Sequence, residues 1–159
     1  MEPIEELRYL VLAAQREGNR LLAEALQPLG LTPSQAEVLR VLQDWQPLSL
    51  VELGSLLVCE QGSPSRLVAG LVAAGYVARV ASHDDKRKIV LSLTPAGHGA
   101  AQQVAEAESA LYVAISALVS DQRVDALLPM LWDVVAGRPA GDALARRMQR
   151  LPLATPEEP

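Results

Sequence analysis

The chain has 159 residues, a mass of 17.0 kDa and a formal net charge of -5. Half of its residues are apolar, so a single domain can bury a sizeable core. It contains one cysteine, Cys59, and begins with the charged segment MEPIEELR, so we expect neither a disulfide framework nor a signal peptide. No uncharged apolar run approaches the roughly 18 residues that a bilayer requires. We therefore expect a soluble, cytoplasmic protein with no membrane role.

The negative charge is unevenly distributed along the sequence. Residues 1–60 carry 4 Lys or Arg against 9 Asp or Glu, and residues 91–159 carry 5 against 8, whereas residues 61–90 carry 5 against 2. A local basic patch on an acidic protein can still contact a polyanion such as DNA, because it sets its own local potential. Only the middle of the chain is then expected to touch DNA.

The first half of the chain predicts three helices. Apolar residues at spacings of three and four indicate a long amphipathic helix over residues 4–27. The segment TPSQ at 32–35 combines an N-cap threonine with Pro at the first helical position, so a second helix should start there and run to about Trp45. The segment SLVE at 49–52 has the capping-box pattern and predicts a short third helix.

A helix-turn-helix and a hairpin follow. SPSR begins a fourth helix, with Ser63 as N-cap and Pro64 at the first position, and Gly75 marks its C-terminal stop. The turn CEQG between the third and fourth helices has the length typical of a helix-turn-helix. The apolar runs YVARVA and IVLSL flank the charged segment HDDKRK. Their alternating apolar positions, which are Val77, Val80, Ile89, Leu91 and Leu93, predict a β-hairpin with a long charged loop.

Helices also dominate the rest of the chain. Thr94-Pro95-Ala96-Gly97 starts a fifth helix that runs to about Val119, Ser120-Asp121 starts a sixth that ends at Gly137, and PAGDALARRMQRL predicts a short seventh. The final segment PLATPEEP is expected to be frayed. The sequence thus predicts a mainly α fold, with a winged helix-turn-helix, a two-stranded β-wing and long N- and C-terminal helices.

Four segments resemble the MarR family of bacterial transcriptional regulators: LTPSQAEVLRVL, SLVELGSLL, SPSRLVAGLVAAGYVAR and, above all, DDKRKIVLSLTPAG. The family's wing reads Asp-x-Arg, a short β-run and then Leu-Thr-x-x-Gly. The resemblance is strong over about residues 30–98, where it implies a winged-helix DNA-binding lobe. It further implies helical dimerisation arms at about 4–28 and 99–150, within one domain that spans 1–159.

The resemblance also implies partners. A homodimer would bind double-stranded DNA, with the fourth helix in the major groove and the wing arginine in the flanking minor groove. A small aromatic or lipophilic effector could enter the cleft between the dimer arms and the DNA lobe. We therefore expect a sequence-specific transcriptional regulator, a repressor, that binds a near-palindromic operator.

The candidate DNA contacts lie on the fourth helix and the wing. Arg66 is the long donor at the start of this helix and can bind guanine or phosphate. Arg87 suits a narrow, A·T-rich minor groove, and the resemblance implies that Asp85 braces it. Four apolar residues of the helix, Leu67, Val68, Leu71 and Val72, are predicted for the core. The predicted DNA-binding residues are Ser63, Pro64, Ser65, Arg66, Ala69, Gly70, Asp85, Lys86, Arg87 and Lys88.

Catalysis and metal binding are not expected. His83 and His98 lack the cysteines or paired carboxylates of a metal site, and no nucleophile elbow is visible, so we predict no enzyme and no cofactor. Two alternatives stay open: a winged-helix module used only for protein interaction, and a redox-responsive regulator acting through Cys59. We expect Cys59 to be a structural thiol, and Trp45 and Trp132 to fill the core or an interface.

Overall fold

The computed structural model describes residues 2–59, 63–82 and 87–149. These ranges contain seven α-helices and one two-stranded antiparallel sheet. The helices are α1 (Pro3–Leu26), α2 (Pro33–Trp45), α3 (Leu50–Gly54), α4 (Pro64–Ala73), α5 (Pro95–Ser116), α6 (Asp121–Val135) and α7 (Pro139–Met148), and the strands are β1 (Val77–Ala81) and β2 (Ile89–Leu93). A single 3-10 turn, Gln27–Leu29, follows α1. The predicted mainly α fold with a helix-turn-helix and a β-wing is confirmed.

Two helices of the helix-turn-helix region begin at reciprocal capping boxes. The backbone N–H of Gln35 donates to Thr32 Oγ1 at 3.2 Å, and the backbone N–H of Thr32 donates to Gln35 Oε1 at 3.0 Å. Ser49 and Glu52 make the same pair of bonds at 3.2 and 2.7 Å. These bonds satisfy amides that the first turn of a helix leaves unpaired, so they fix where α2 and α3 begin.

One apolar cluster holds the helix-turn-helix and the wing together. It is built from buried side chains of α2, α3, α4, β1, β2 and α5, together with the end of α1. On α4, Val68 and Leu71 are fully buried, whereas Leu67 and Val72 pack partly buried against the cluster. Trp45 also packs against it, as expected. The largest fully buried side chains are Leu26, Leu39, Leu42, Leu53, Leu71, Val38, Val41, Val68 and Val104.

The wing is anchored at its base by a third extended segment. In the hairpin, Val77 pairs with Leu93 and Ala81 pairs with Ile89. Leu48, between α2 and α3, exchanges two backbone hydrogen bonds with Leu91, at 2.7 and 3.2 Å. This pairing fixes the base of the hairpin to the start of α3, so the wing has a defined direction relative to the helix-turn-helix.

Burial in the hairpin differs from the expected pattern at two positions. Val77 and Leu91 are buried, but Val80 is 41% and Ile89 is 55% exposed. Side chains alternate across a strand, so Val80, three residues after Val77, lies on the opposite face. Ile89 pairs with Ala81 at the far end of the hairpin, beyond the edge of the core. The outer half of the wing therefore contributes nothing to the core.

The outer helices leave an apolar surface uncovered in the single chain. None of the residues of α6 is buried, and Met130 and Val134 are 58% and 60% exposed. An apolar groove of about 810 Å³ runs between α1, α6 and α7, and Leu7, Leu127 and Trp132 are among its lining residues. A continuous exposed apolar surface of this kind marks a site of interaction with another molecule.

The end of α4, the hairpin and the start of α5 meet at one backbone junction. Thr94 Oγ1 accepts from the backbone N–H of Gly97 at 3.0 Å and donates to the carbonyl of Gly75 at 2.7 Å. The backbone N–H of Thr94 donates to the carbonyl of Tyr76 at 3.0 Å. A Cβ atom on Gly97 would lie 1.9 Å from that carbonyl oxygen. Glycine at 97 is therefore what allows α5 to approach so closely.

We predict that Gly97→Ala destabilises the fold by about 1 to 3 kcal/mol, because the added methyl group forces the backbone of Tyr76 away from α5. The matched control is Gly99→Ala on the same helix, where an added Cβ meets no atom within 4 Å. That change should stabilise the protein by about 0.5 to 1 kcal/mol through helix propensity. Urea denaturation followed by circular dichroism measures both. Equal stability of Gly97→Ala and wild type would show that the junction tolerates a side chain.

Candidate nucleic-acid interface

The outward face of α4 consists of small residues and one arginine. Arg66, Ala69 and Gly70 are exposed and lie at positions i, i+3 and i+4 of the helix, so they share one face. Ala73, one turn further on, is exposed on the same face. Ala73 was not among the predicted residues, although its i+7 spacing from Arg66 was a signal for it. With so little side-chain bulk, another molecule can approach the backbone of α4 closely.

The start of α4 presents two hydroxyl groups. Ser63 is the N-cap residue, as predicted, but its side chain makes no capping hydrogen bond. Its Oγ lies instead 2.6 Å from Oγ of Ser65, and both serines are exposed. Pro64 is half-buried against α3, where a Cβ on Gly54 would lie 3.5 Å from it. Helix N-termini favour anions, so these hydroxyls stand where a phosphate group could bind.

Gly70 is not required by the fold. A Cβ atom at this position would lie 3.4 Å from Nε2 of Gln35, which is the end of a flexible side chain. The backbone of Gly70 is helical with an ordinary negative φ. An alanine at position 70 would therefore require at most a small adjustment of the Gln35 side chain.

Two cations are described at the tip of the wing, between β1 and β2, and both are exposed. Arg87 lies in the turn that precedes β2, and Lys88 is the next residue. The carbonyl of Lys88 accepts a hydrogen bond from the backbone N–H of Ser82 at 2.8 Å, which closes the described part of the hairpin tip. Asp85 and Lys86 lie outside the described residues, as do 83–84, so the bracing of Arg87 by Asp85 stays a prediction.

A carboxylate at the start of α3 lies near the wing. A hydrogen bond with the Ser49 side chain, followed by one with the Ser49 backbone, holds the pKa of Glu52 below its ordinary value, and the charge of Lys88 adds a smaller attraction. Glu52 is consequently ionised at neutral pH. Its charge partly offsets that of Lys88 at the tip of the wing.

A carboxylate of α2 holds the loop that leads from α3 into α4. Glu37 accepts backbone hydrogen bonds from Val58 at 2.8 Å and from Cys59 at 3.0 Å. Arg147 of α7 donates to the same carboxylate at 2.8 Å. This arrangement was not predicted from the sequence, because the partners of Glu37 are 21, 22 and 110 residues away. The one local signal was a carboxylate placed between two buried residues of α2.

Cys59 is half-buried, as expected for a structural thiol. It lines a cavity of about 570 Å³ between the α3–α4 loop and α7, together with Leu57, Pro64, Ala140 and Arg146. The structure thus places the cysteine beside the start of α4. Its response to oxidants stays a prediction.

Within residues 2–59, 63–82 and 87–149, no group of three or more His, Cys, Asp or Glu side chains is placed to hold a metal ion. In the same part of the chain, no helix combines the length and the apolar character needed to cross a membrane.

Sequence comparisons agree with this geometry. The model of the MarR family matches residues 31–89. The multiple antibiotic resistance protein MarR of Salmonella typhimurium is 31% identical over 101 residues, which cover 64% of this chain and 68% of that protein. The HTH-type transcriptional regulator TtmR of Methylorubrum extorquens is 34% identical over 94 residues, which cover 59% of this chain and 48% of that protein.

Solved structures share the architecture over most of the chain. A cysteine-to-serine mutant of MarR from Escherichia coli, crystallised with operator DNA, superposes with a TM-score of 0.74 at 28% identity and covers 83% of this chain and 95% of that one. BpsR of Bordetella bronchiseptica gives a TM-score of 0.75 at 19% identity over 86% of this chain and 98% of that one, a likeness of fold. The chain belongs to the MarR family of winged-helix transcriptional regulators.

Proposed function

We propose that the protein is a sequence-specific DNA-binding repressor that binds a near-palindromic operator as a homodimer. The observation that carries the proposal is the outward face of α4, where Arg66 and two serine hydroxyls stand beside small residues on an otherwise acidic chain. The similar MarR of Escherichia coli has been crystallised with operator DNA. The competing function, a module that binds only proteins, does not explain why this basic face is exposed.

In this proposal the two elements have different tasks. The helix α4 enters the major groove, where the small side chains Ala69 and Gly70 permit close approach and Arg66 can donate two hydrogen bonds to guanine. Ser63, Ser65 and the start of the helix, with Pro64 fixing its first turn, bind the DNA backbone. The wing contacts flanking DNA, with Arg87 in the minor groove, Lys86 and Lys88 on phosphates and Asp85 bracing the arginine.

The domain organisation follows the same division. Residues from about 30 to 98 form the DNA-binding lobe, whereas about 4–28 and 99–150 form the dimerisation arms of one domain spanning 1–159. The support is the distribution of burial: the apolar cluster lies mainly in the lobe, and the apolar faces of α1 and α6 are uncovered. A second copy of the chain, related by a two-fold axis, covers such faces most simply.

Repression and effector control complete the proposal. A dimer that occupies its operator excludes other proteins from that DNA. A small aromatic or lipophilic effector has space in the cavity of about 570 Å³ between α7 and the α3–α4 loop, which has both apolar and polar walls. DNA binding by BpsR, a protein of the same fold, is regulated by 6-hydroxynicotinic acid. An effector in this cavity would lie directly against Pro64, the first residue of α4.

We predict that Arg66→Ala removes sequence preference at one base pair in each half-site. The operator is first located by gel shift with the DNA upstream of the protein's own gene, and each of its base pairs is then substituted in turn. On the unsubstituted operator, Arg66→Ala should cost about 1 to 3 kcal/mol of binding free energy per contact. On an operator already substituted at the base pair that Arg66 reads, the same change should cost nothing further. Arg66→Lys keeps the charge but not the two-pronged donor, so it should reduce specificity more than non-specific affinity.

The contrary result for Arg66 is a uniform loss of affinity across all substituted operators. Arg66 would then be a phosphate contact, and base recognition would have to come from the serines, the backbone of α4 or the shape of the DNA. If the wild-type protein prefers no DNA sequence at all, the proposed function itself is wrong.

We predict that Arg87 and Lys88, the two described cations at the tip of the wing, contribute to DNA binding in different ways. Lys88→Ala should reduce the slope of log K against log salt by about one or less, as expected for a single phosphate contact near a neighbouring carboxylate. Arg87→Ala should weaken binding most where the half-sites are flanked by A·T pairs, because a narrow minor groove attracts arginine. Titration at several salt concentrations, with A·T-flanked and G·C-flanked duplexes, measures both effects. Identical losses on the two duplexes would place Arg87 outside the minor groove.

A further inference from the structure

We propose that Glu37 and Arg147 are positioning residues that hold the start of α4, so that the C-terminal helix α7 controls how well α4 reads DNA. The inference rests on the proposed function, since it concerns how the reading helix is held. Glu37 lies on α2 and Arg147 on α7, and both act on the loop that precedes α4. Neither residue lies on the outward face of α4, so the two act through the loop.

The hydrogen bonds at Glu37 fix the backbone of Val58 and Cys59, the last described residues of the loop before Ser63. Its two carboxylate oxygens accept from consecutive backbone N–H groups, those of Val58 and Cys59, at 2.8 and 3.0 Å. The side chain of Glu37 is only 13% exposed. A carboxylate so shielded from water needs a compensating charge, and Arg147 supplies it at 2.8 Å. Loss of Arg147 therefore weakens the acceptor that orients both amides.

A second arginine of α7 contacts the other end of the loop. Arg146 donates to the backbone carbonyl of Ser55 at 3.0 Å. The adjacent residues Arg146 and Arg147 of α7 thus hold the loop at two points. Arg146 holds its beginning, through Ser55, and Arg147 acts through Glu37 on the residues four to five positions before Ser63. The last turn of α7 is in this way connected to the segment that sets the position of α4.

The cavity of about 570 Å³ leaves part of the space between the loop and α7 unfilled, and Arg146 is one of its lining residues. The hydrogen bonds of Arg146 and Arg147 are therefore direct links between the end of α7 and the rest of this region. The first turn of α7 is fixed elsewhere: a Cβ on Gly141 would lie 2.1 Å from the carbonyl oxygen of Val135, at the end of α6. The helix is therefore held by α6 at one end and by the loop at the other.

This arrangement links the uncovered arm to the reading helix. α7 follows α6, whose apolar face is exposed in the single chain. A change in how α6 is covered moves the start of α7, and the two arginines at its far end transmit that movement to the α3–α4 loop. The position of α4 then depends on the state of the C-terminal arm as well as on its own core contacts.

The test compares Glu37→Gln and Arg147→Ala in the full-length protein. These substitutions change the net charge in opposite directions, so simple electrostatics predicts opposite effects on affinity for DNA. We expect both to increase the amide hydrogen exchange of Val58 and Cys59, and both to weaken binding to the operator duplex by about tenfold. Affinity for a random duplex of the same length should change by less than about threefold.

Two further variants separate positioning from charge and from folding. Arg138→Ala removes a cation from the other end of α7, where Arg138 makes no side-chain hydrogen bond or ion pair with the described residues. It should leave exchange and operator affinity within about twofold of wild type. Arg147→Lys keeps the charge, so it should restore part of the operator affinity. If Arg147→Ala lowers the folded fraction, Arg147→Lys and Glu37→Gln carry the test.

Unchanged exchange at Val58 and Cys59 in both variants would overturn the proposal, because the carboxylate would not hold the loop. Faster exchange with undiminished preference for the operator would also overturn it, because the loop would not position α4. A wild-type protein with no DNA preference would refute the proposed function instead, and a positioning role for Glu37 would fall with it.

Discussion

The close passage of the Tyr76 carbonyl beside Gly97 is the constraint on which the DNA-facing part of the structure depends. Three elements leave from this point: α4 ends before it, the hairpin begins at it, and α5 starts against it. The Thr94 side chain caps α5 and donates to the carbonyl of Gly75, which has a left-handed φ of 78°. The hydroxyl of Thr94 and the absence of a side chain at Gly97 thus fix the angle between α4 and the wing. The pattern Leu-Thr-x-x-Gly, which is Leu93, Thr94 and Gly97 in this chain, corresponds to this junction.

The DNA-binding lobe and the helical arms differ in how their apolar surfaces are buried. In the lobe, side chains from α2, α3, α4, the hairpin and α5 close a core within one chain. The arms do not, because α6 has no buried residue and α1 buries only Leu26. Under the proposed function, this contrast separates recognition from assembly, since the core of the lobe closes within one chain with the help of Leu26 and α5, and the uncovered faces of α1 and α6 need a partner. The contacts of Arg146 and Arg147 with the lobe are then the place where assembly can affect recognition.

Short sequence patterns predicted much of the fold, but they could not predict contacts between residues that are far apart in the sequence. Capping residues at 32–35 and 49–52 located the starts of α2 and α3, because their hydrogen bonds span only three residues. Similarly, the alternation of buried and small residues identified the outward face of α4. The strand pattern was wrong at Val80, since a spacing of three crosses the sheet. No local pattern could pair Glu37 with Arg147, and the predicted roles of Asp85 and Lys86 concern residues outside the described part of the chain.

The most direct test of the account is the mass of the protein and of its complex with the operator, measured by light scattering. The account requires that two chains, joined through α1 and α6, place their α4 helices in successive major grooves, about 10 bp apart. The protein alone should therefore have twice the mass of one 17.0 kDa chain, and the complex should contain two chains per duplex. A folded monomer at micromolar concentration that binds its operator as a single chain would contradict the account.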